Sequence, residues 1–141
     1  MGTSTFERSI AWRRAQDLLE LMETRFGDSK RFWFRDQLLR ATLSISNNIA
    51  EGHGRPTRAD RTRYLVIAKG SRNEVRSMLH YARRMKYMDD PDTERAIGLC
   101  QEIGRLLHAY MDPVSKRFGQ LPDFAGLLVV AAWLEALFTP V

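Results

Sequence analysis

Between Arg55 and Lys86 the chain carries ten lysines and arginines against two acids, Asp60 and Glu74, a net of +8. The other residues carry twelve against fifteen, a net of −3, so the overall +5 is concentrated in one segment. At about 100° per residue on a helix, Arg58, Arg61, Lys69, Arg72, Arg76, His80 and Arg83 fall within about 60° of one line. A basic stripe of this kind is an electrostatic footprint for a polyanion, most often nucleic acid. Arginine outnumbers lysine in it, and the planar guanidinium fork matches phosphate oxygens better than an ammonium does. With Arg55 just upstream, the candidate contacts are Arg55, Arg58, Arg61, Lys69, Arg72, Arg76 and Arg83. No aromatic residue interrupts the stripe, so it suits backbone phosphate and offers no means of reading bases. The same pattern also describes a solvated helix face that only keeps a protein soluble.

Other chemistry is thinly represented. His53, His80 and His108 have no second histidine at helical metal-binding spacing, and the single cysteine, Cys100, rules out an internal disulfide or a multi-cysteine metal site. Cys100 reads as a small apolar core residue. Gly52-His53-Gly54 beside Arg55 has the glycines of a phosphate cradle but fits neither the P-loop nor the dinucleotide fingerprint. No nucleophile elbow occurs. Helical-bundle ribonucleases of the HEPN type share an arginine and a histidine separated by four to six residues. Here Arg76 and His80 are separated by three, and Arg105 and His108 by two. Glu51, Glu74 and His80 are the residues an uncharted nuclease would use, yet no acid, base and nucleophile can be assembled around them. No cofactor or metal is expected.

The elements that position these residues are helices. Ser9 to Phe26 places Trp12, Ala15, Leu18, Leu19, Met22 and Phe26 on one face, opposite Arg13, Glu20 and Glu23, and Gly27 ends it. A second helix from Phe32 to Gly52 has an apolar face of Leu38, Ala41, Thr42, Ile45 and Ile49. Opposite runs a polar line, Asp36, Arg40, Ser44, Asn47 and Glu51, that can knit helices together through hydrogen bonds, with Arg40 and Glu51 pairing across helices or subunits. The long third helix runs from Arg55 to Tyr87, capped by Thr57 with Asp60 three residues on. Its apolar side is expected at Tyr64, Ile67, Ser71, Val75, Met78, Ala82 and Met85. Glu74 projects towards that side, where a carboxylate needs a partner such as Arg40. A fourth helix starts near Pro91 and buries Ala96, Leu99, Cys100, Ile103, Leu106, Leu107 and Tyr110. Gly98 and Gly104 permit close helix approach, and Asp112-Pro113 ends or kinks it.

The fold class is therefore all-α, an up-down antiparallel four-helix bundle over residues 1–120. Residues 121–141 form an apolar tail. Phe124 to Phe138 in it is shorter than the roughly 20 residues a membrane span needs and reads as a short extra C-terminal helix packed on the bundle or a neighbouring subunit. Met1-Gly2-Thr3-Ser4-Thr5 lacks the apolar core of a signal peptide, and the expected location is cytoplasmic, away from membranes.

Gln37-Leu38-Leu39-Arg40-Ala41, Ser44-Ile45 and Asn48-Ile49-Ala50-Glu51-Gly52 together resemble the signature of the bacterial four-helix bundle proteins encoded in intervening sequences of 23S ribosomal RNA genes. Ile67-Ala68-Lys69-Gly70-Ser71 followed by Glu74 resembles their second signature. Trp12, Ala15 and Leu18 fit their first helix and Tyr87 the end of their third. The resemblance extends from about Phe6 to Tyr110. It implies an up-down bundle assembled as a homo-oligomer, typically a pentamer, with Arg40, Ser44, Asn48, Glu51, Gly52, Gly70, Ser71 and Glu74 as structural or interface residues. The family includes the accessory variability protein of diversity-generating retroelements, which binds nucleic acid through a basic surface and partners a reverse transcriptase. The family usually has an aromatic residue at Arg61 and a glycine at Lys86, so both departures add positive charge here. The tail after Leu121 lies outside the pattern. The expected function is a non-enzymatic, oligomeric RNA- or ribonucleoprotein-binding module. The alternative is a protein-interaction scaffold to which nucleic acid is incidental.

Overall fold

The computed structural model describes residues 5–111. The expectations for the extreme N-terminus, for Asp112-Pro113, and for the apolar tail with its Phe124 to Phe138 helix lie outside them. A single 3₁₀ turn, Phe6–Arg8, leads into four helices: α1 (Ile10–Phe26), α2 (Phe32–His53), α3 (Arg58–Arg84) and α4 (Asp90–Met111). The bundle is one compact unit ending at His108, and Ala109–Met111 at the end of α4 belong to a separate unit.

Three of the four helices begin where a side chain satisfies an unpaired N–H group, whereas α2 starts after Arg31 without a side-chain cap. The Ser9 hydroxyl accepts from the Trp12 N–H at 3.3 Å and starts α1. The Thr57 hydroxyl accepts from the Asp60 N–H at 3.1 Å and donates to the Asp60 carboxylate at 2.7 Å, so both residues hold the start of α3. Asp89 accepts from the Asp92 N–H at 2.9 Å and starts α4. The end of α3 is sharper than expected. Lys86 takes φ of 55°, in the left-handed region that favours glycine, and the Tyr87 N–H closes back to the Ala82 carbonyl at 2.8 Å. The helix therefore ends at Arg84, three residues before Tyr87.

Four apolar faces meet in one core. It includes Ala15, Leu18, Met22 and Phe26 from α1, Phe34, Leu38, Ile45 and Ile49 from α2, Ala68, Val75 and Leu79 from α3, and Ala96, Cys100, Ile103 and Leu107 from α4. Pairings along the helices fix the topology. Arg14 donates to Glu102 at 2.9 Å while Arg25 pairs with Asp92, which runs α4 antiparallel to α1. Arg83 pairs with Glu94 while Arg72 lies against Gly104, which runs α4 antiparallel to α3. The α2 helix packs against both α1 and α3. Helix follows helix around an up-down-up-down square, as a bundle with short connections must. Tyr110, expected inside, is exposed.

The core line of α3 is Leu65, Ala68, Val75, Leu79 and Ala82. It is rotated by roughly 70° from the expected side, at 100° per residue. Ile67 and Met85 are consequently exposed. The small residues Ala68 and Ala82 are fully buried in place of the larger Ile67 and Met85.

Candidate nucleic-acid interface

The rotation of α3 divides the basic residues into two groups. Leu65, Ala68, Val75, Leu79 and Ala82 are spaced by three and four except for one gap, and Arg72 fills it. Arg72 is half-buried, with its guanidinium lying flat on Gly104 of α4. A Cβ at Gly104 would stand 2.6 Å from its Nη2 and 2.8 Å from its Cζ. Its Nε is buried without a partner among the described residues. Burial holds the pKa of this guanidinium below the ordinary arginine value, with Arg76 pushing the same way and Cys100 opposing. The stripe's central residue thus sits in the α3–α4 seam and does not project with the rest. Gly104 is the close-approach glycine expected on α4, whereas Gly98 faces open space.

Two more candidates are held by neighbours. Arg55 pairs with Glu51, donates to the Tyr64 hydroxyl at 2.8 Å and lies 4.7 Å over the Tyr64 ring, clamping the end of α2 to the start of α3. Arg83 is half-buried and pairs with Glu94. Arg58, Arg61, Lys69 and Arg76 remain exposed, with His80 beside them. Arg61 reaches only the Pro56 carbonyl, at 3.4 Å, and Lys69 and Arg76 make no ion pair among the described residues. The projecting stripe is thus four cations along one side of α3.

The polar motif residues gather where α2 meets α3. Ser44 and Ser71 hydroxyls are 2.8 Å apart, and the Asn48 amide donates to the Ser44 carbonyl at 2.8 Å and hydroxyl at 3.1 Å. Gly52 is buried, and a Cβ there would lie 3.3 Å from Tyr64 Cβ and 3.4 Å from the Arg61 carbonyl, so α2 and α3 touch at that point. Gly70, by contrast, faces open space. Two expected pairings do not form within the chain. Glu51 is taken by Arg55, while Arg40 lines a groove between α1 and α2 with Leu19, Glu20 and Leu43, and makes no ion pair among the described residues. Glu74 is exposed and accepts from the Gln37 amide, because the face expected to bury it is itself in solvent. Among the described residues no group of three or more His, Cys, Asp or Glu is placed to hold a metal ion. No helix among them is long and apolar enough to cross a membrane.

One feature escaped the sequence reading. Phe32 and Trp33 at the start of α2 are exposed and lie at the same end of the bundle as Tyr81 and Tyr87. The run Arg31-Phe32-Trp33-Phe34-Arg35 was the available signal.

The model of the 23S rRNA-intervening sequence protein family matches residues 7–109. The chain belongs to that family. Its bundle is also similar to the crystal structure of a protein of unknown function from the S23 ribosomal protein family of Bacteroides thetaiotaomicron. That similarity has a TM-score of 0.65 at 27% identity and covers 72% of this chain and 94% of the other. No curated protein matches. Neither description names a catalytic activity.

Proposed function

We propose that this family member is a non-enzymatic module that binds RNA, alone or within a ribonucleoprotein, through backbone phosphate. The observation that carries the reading is the projecting row Arg58, Arg61, Lys69 and Arg76, exposed on a helix in which eight basic residues face two acids, Asp60 and Glu74. Phosphate contacts of this kind release counterions and weaken with salt. The test is fluorescence anisotropy of the purified protein with a labelled, structured RNA at 50 mM salt. Lys69→Glu with Arg76→Glu is expected to lower affinity at least tenfold with unchanged circular dichroism. Undiminished affinity in that variant overturns the reading.

We further propose assembly as a homo-oligomer, with five subunits as the family resemblance implies. Support comes from the large apolar side chains Leu43 on α2 and Val66 and Ile67 on α3, exposed at 43%, 54% and 43% accessibility. Light scattering tests it, and a monomeric mass overturns it. A reverse transcriptase or other nucleic-acid-processing protein is the kind of partner such a module would serve. The alternative reading, a protein scaffold, is favoured if RNA binding fails while assembly persists.

A further inference from the structure

We infer that the end of the bundle formed by the start of α2 and the close of α3 is a stacking platform for unpaired bases of single-stranded RNA. Trp33 is 63% exposed, Phe32 58% and Tyr81 41%. Large rings left this far in solvent lose the burial that ordinarily stabilises them. The Trp33 and Tyr81 centroids lie 6.2 Å apart with their planes at 65°, and Tyr81 meets Tyr87 at 6.0 Å. Beneath them Phe34 is buried. It touches Trp33 at 5.6 Å, Tyr81 at 6.1 Å, Tyr87 at 5.3 Å and Phe26 at 5.5 Å. The outer rings are therefore seated on a rigid aromatic base.

Charge selects the occupant. The Arg31 guanidinium carbon lies 4.2 Å above the Tyr87 ring and that of Arg35 lies 4.8 Å above Phe32. Arg84 and Lys86 close the same end of α3. A groove beside Tyr87 continues from Arg83 and Lys86 to Asp89 and Asp90, and Asp36 is taken up by Arg35. Exposed aromatic faces interleaved with guanidinium groups fit a strand whose bases stack while its phosphates are neutralised alongside. An aliphatic protein surface would gain nothing from the cations, and a duplex hides its base faces. This inference rests on the RNA-binding reading and supplies what the α3 stripe lacks, a surface that distinguishes unpaired bases from helix.

The test compares a labelled 12-nucleotide single-stranded RNA with the same sequence as a duplex. Wild-type and Trp33→Leu/Tyr81→Leu proteins are used, with thermal melts confirming the fold. Loss of one stacked base is worth about 1–3 kcal/mol, or roughly fivefold or more. The variant is expected to lose at least fivefold in affinity for the single strand and to hold the duplex within twofold. Single-strand binding should also quench wild-type tryptophan emission by a component that the variant lacks. Unchanged single-strand affinity, an equal loss for both RNAs, or a change in subunit number in the variant overturns the platform. A wild type that binds neither RNA overturns the RNA-binding reading itself, and the inference with it.

Discussion

If Arg72 belongs to the α3–α4 seam, then Arg72 and Gly104 are energetically coupled, and a double-mutant cycle reads the coupling directly. Replacing a mid-helix glycine by alanine normally stabilises by about 0.5–1 kcal/mol. Here the new methyl would arrive 2.6 Å from Nη2 and 2.8 Å from Cζ of Arg72, so the guanidinium must move by about 1 Å or more to restore ordinary van der Waals separation. The obstacle is the far end of a flexible side chain, so the helices need not separate. In the wild-type background Gly104→Ala is therefore expected to be neutral, or destabilising by up to ~1 kcal/mol, the helical gain being offset by lost packing. In an Arg72→Ala background the obstacle is gone and the gain of about 0.5–1 kcal/mol returns. The expected coupling is ~0.5–2 kcal/mol, within the range for residues in contact. At roughly 4 °C per kcal/mol for a chain of this size, the two Gly104→Ala shifts in Tm should differ by about 2–8 °C. Thermal denaturation at one fixed protein concentration is the assay, since assembly makes Tm concentration-dependent. Additive effects, with coupling below ~0.3 kcal/mol, would refute the placement of Arg72 and return it to the solvent stripe.

Three further outcomes follow from the same geometry. With four projecting cations, log affinity for RNA should fall with log salt at a slope of about −3 to −4, roughly a 60- to 250-fold loss between 50 and 200 mM; Lys69→Ala/Arg76→Ala should halve the slope, and a variant that keeps the full slope contradicts the count. Lys86→Gly should stabilise by ~1 kcal/mol, because it removes a side chain from a left-handed position; chemical denaturation checks it, and no gain means that the turn is not strained. Burial pushes the Cys100 thiol up to about 12, with Arg72 and Arg76 pulling it back. The folded value lies above the unfolded one, so this stabilisation is intact below about pH 8.5 and is lost as pH rises towards 12. The stability gap between wild type and Cys100→Ala should therefore narrow from about pH 9 upward, and iodoacetamide at pH 8 should label Cys100 only on unfolding. Rapid labelling of the folded protein would contradict the burial.

The chain's periodicity made the helices legible. Ser9, Thr57 and the Gly27 stop stand at helix ends because caps act within a turn of the residues that make them, and that chemistry is local. The core faces of α1 and α2 were equally plain, since each has a block of large aliphatic residues with one possible inner side. The candidate interface was legible only as a composition, a helix with too many arginines. Its membership was not, because α3 has apolar residues nearly all round. Which side turns inward there depends on what the neighbouring helices place against it, as Gly104 of α4 does against Arg72.

By itself, then, the sequence determined that this protein is four helices in a bundle and that positive charge collects on the third. The tertiary structure alone decided that Arg72 lies on Gly104, that Arg55 and Arg83 are held by Glu51 and Glu94, and that Trp33 meets Tyr81. The physical reason is range. Helix formation and capping are settled among residues three or four apart, whereas the fate of a charged or aromatic side chain is settled by what another helix places opposite it. Residues 48 apart in the chain, such as Trp33 and Tyr81, can be neighbours only after the bundle has closed.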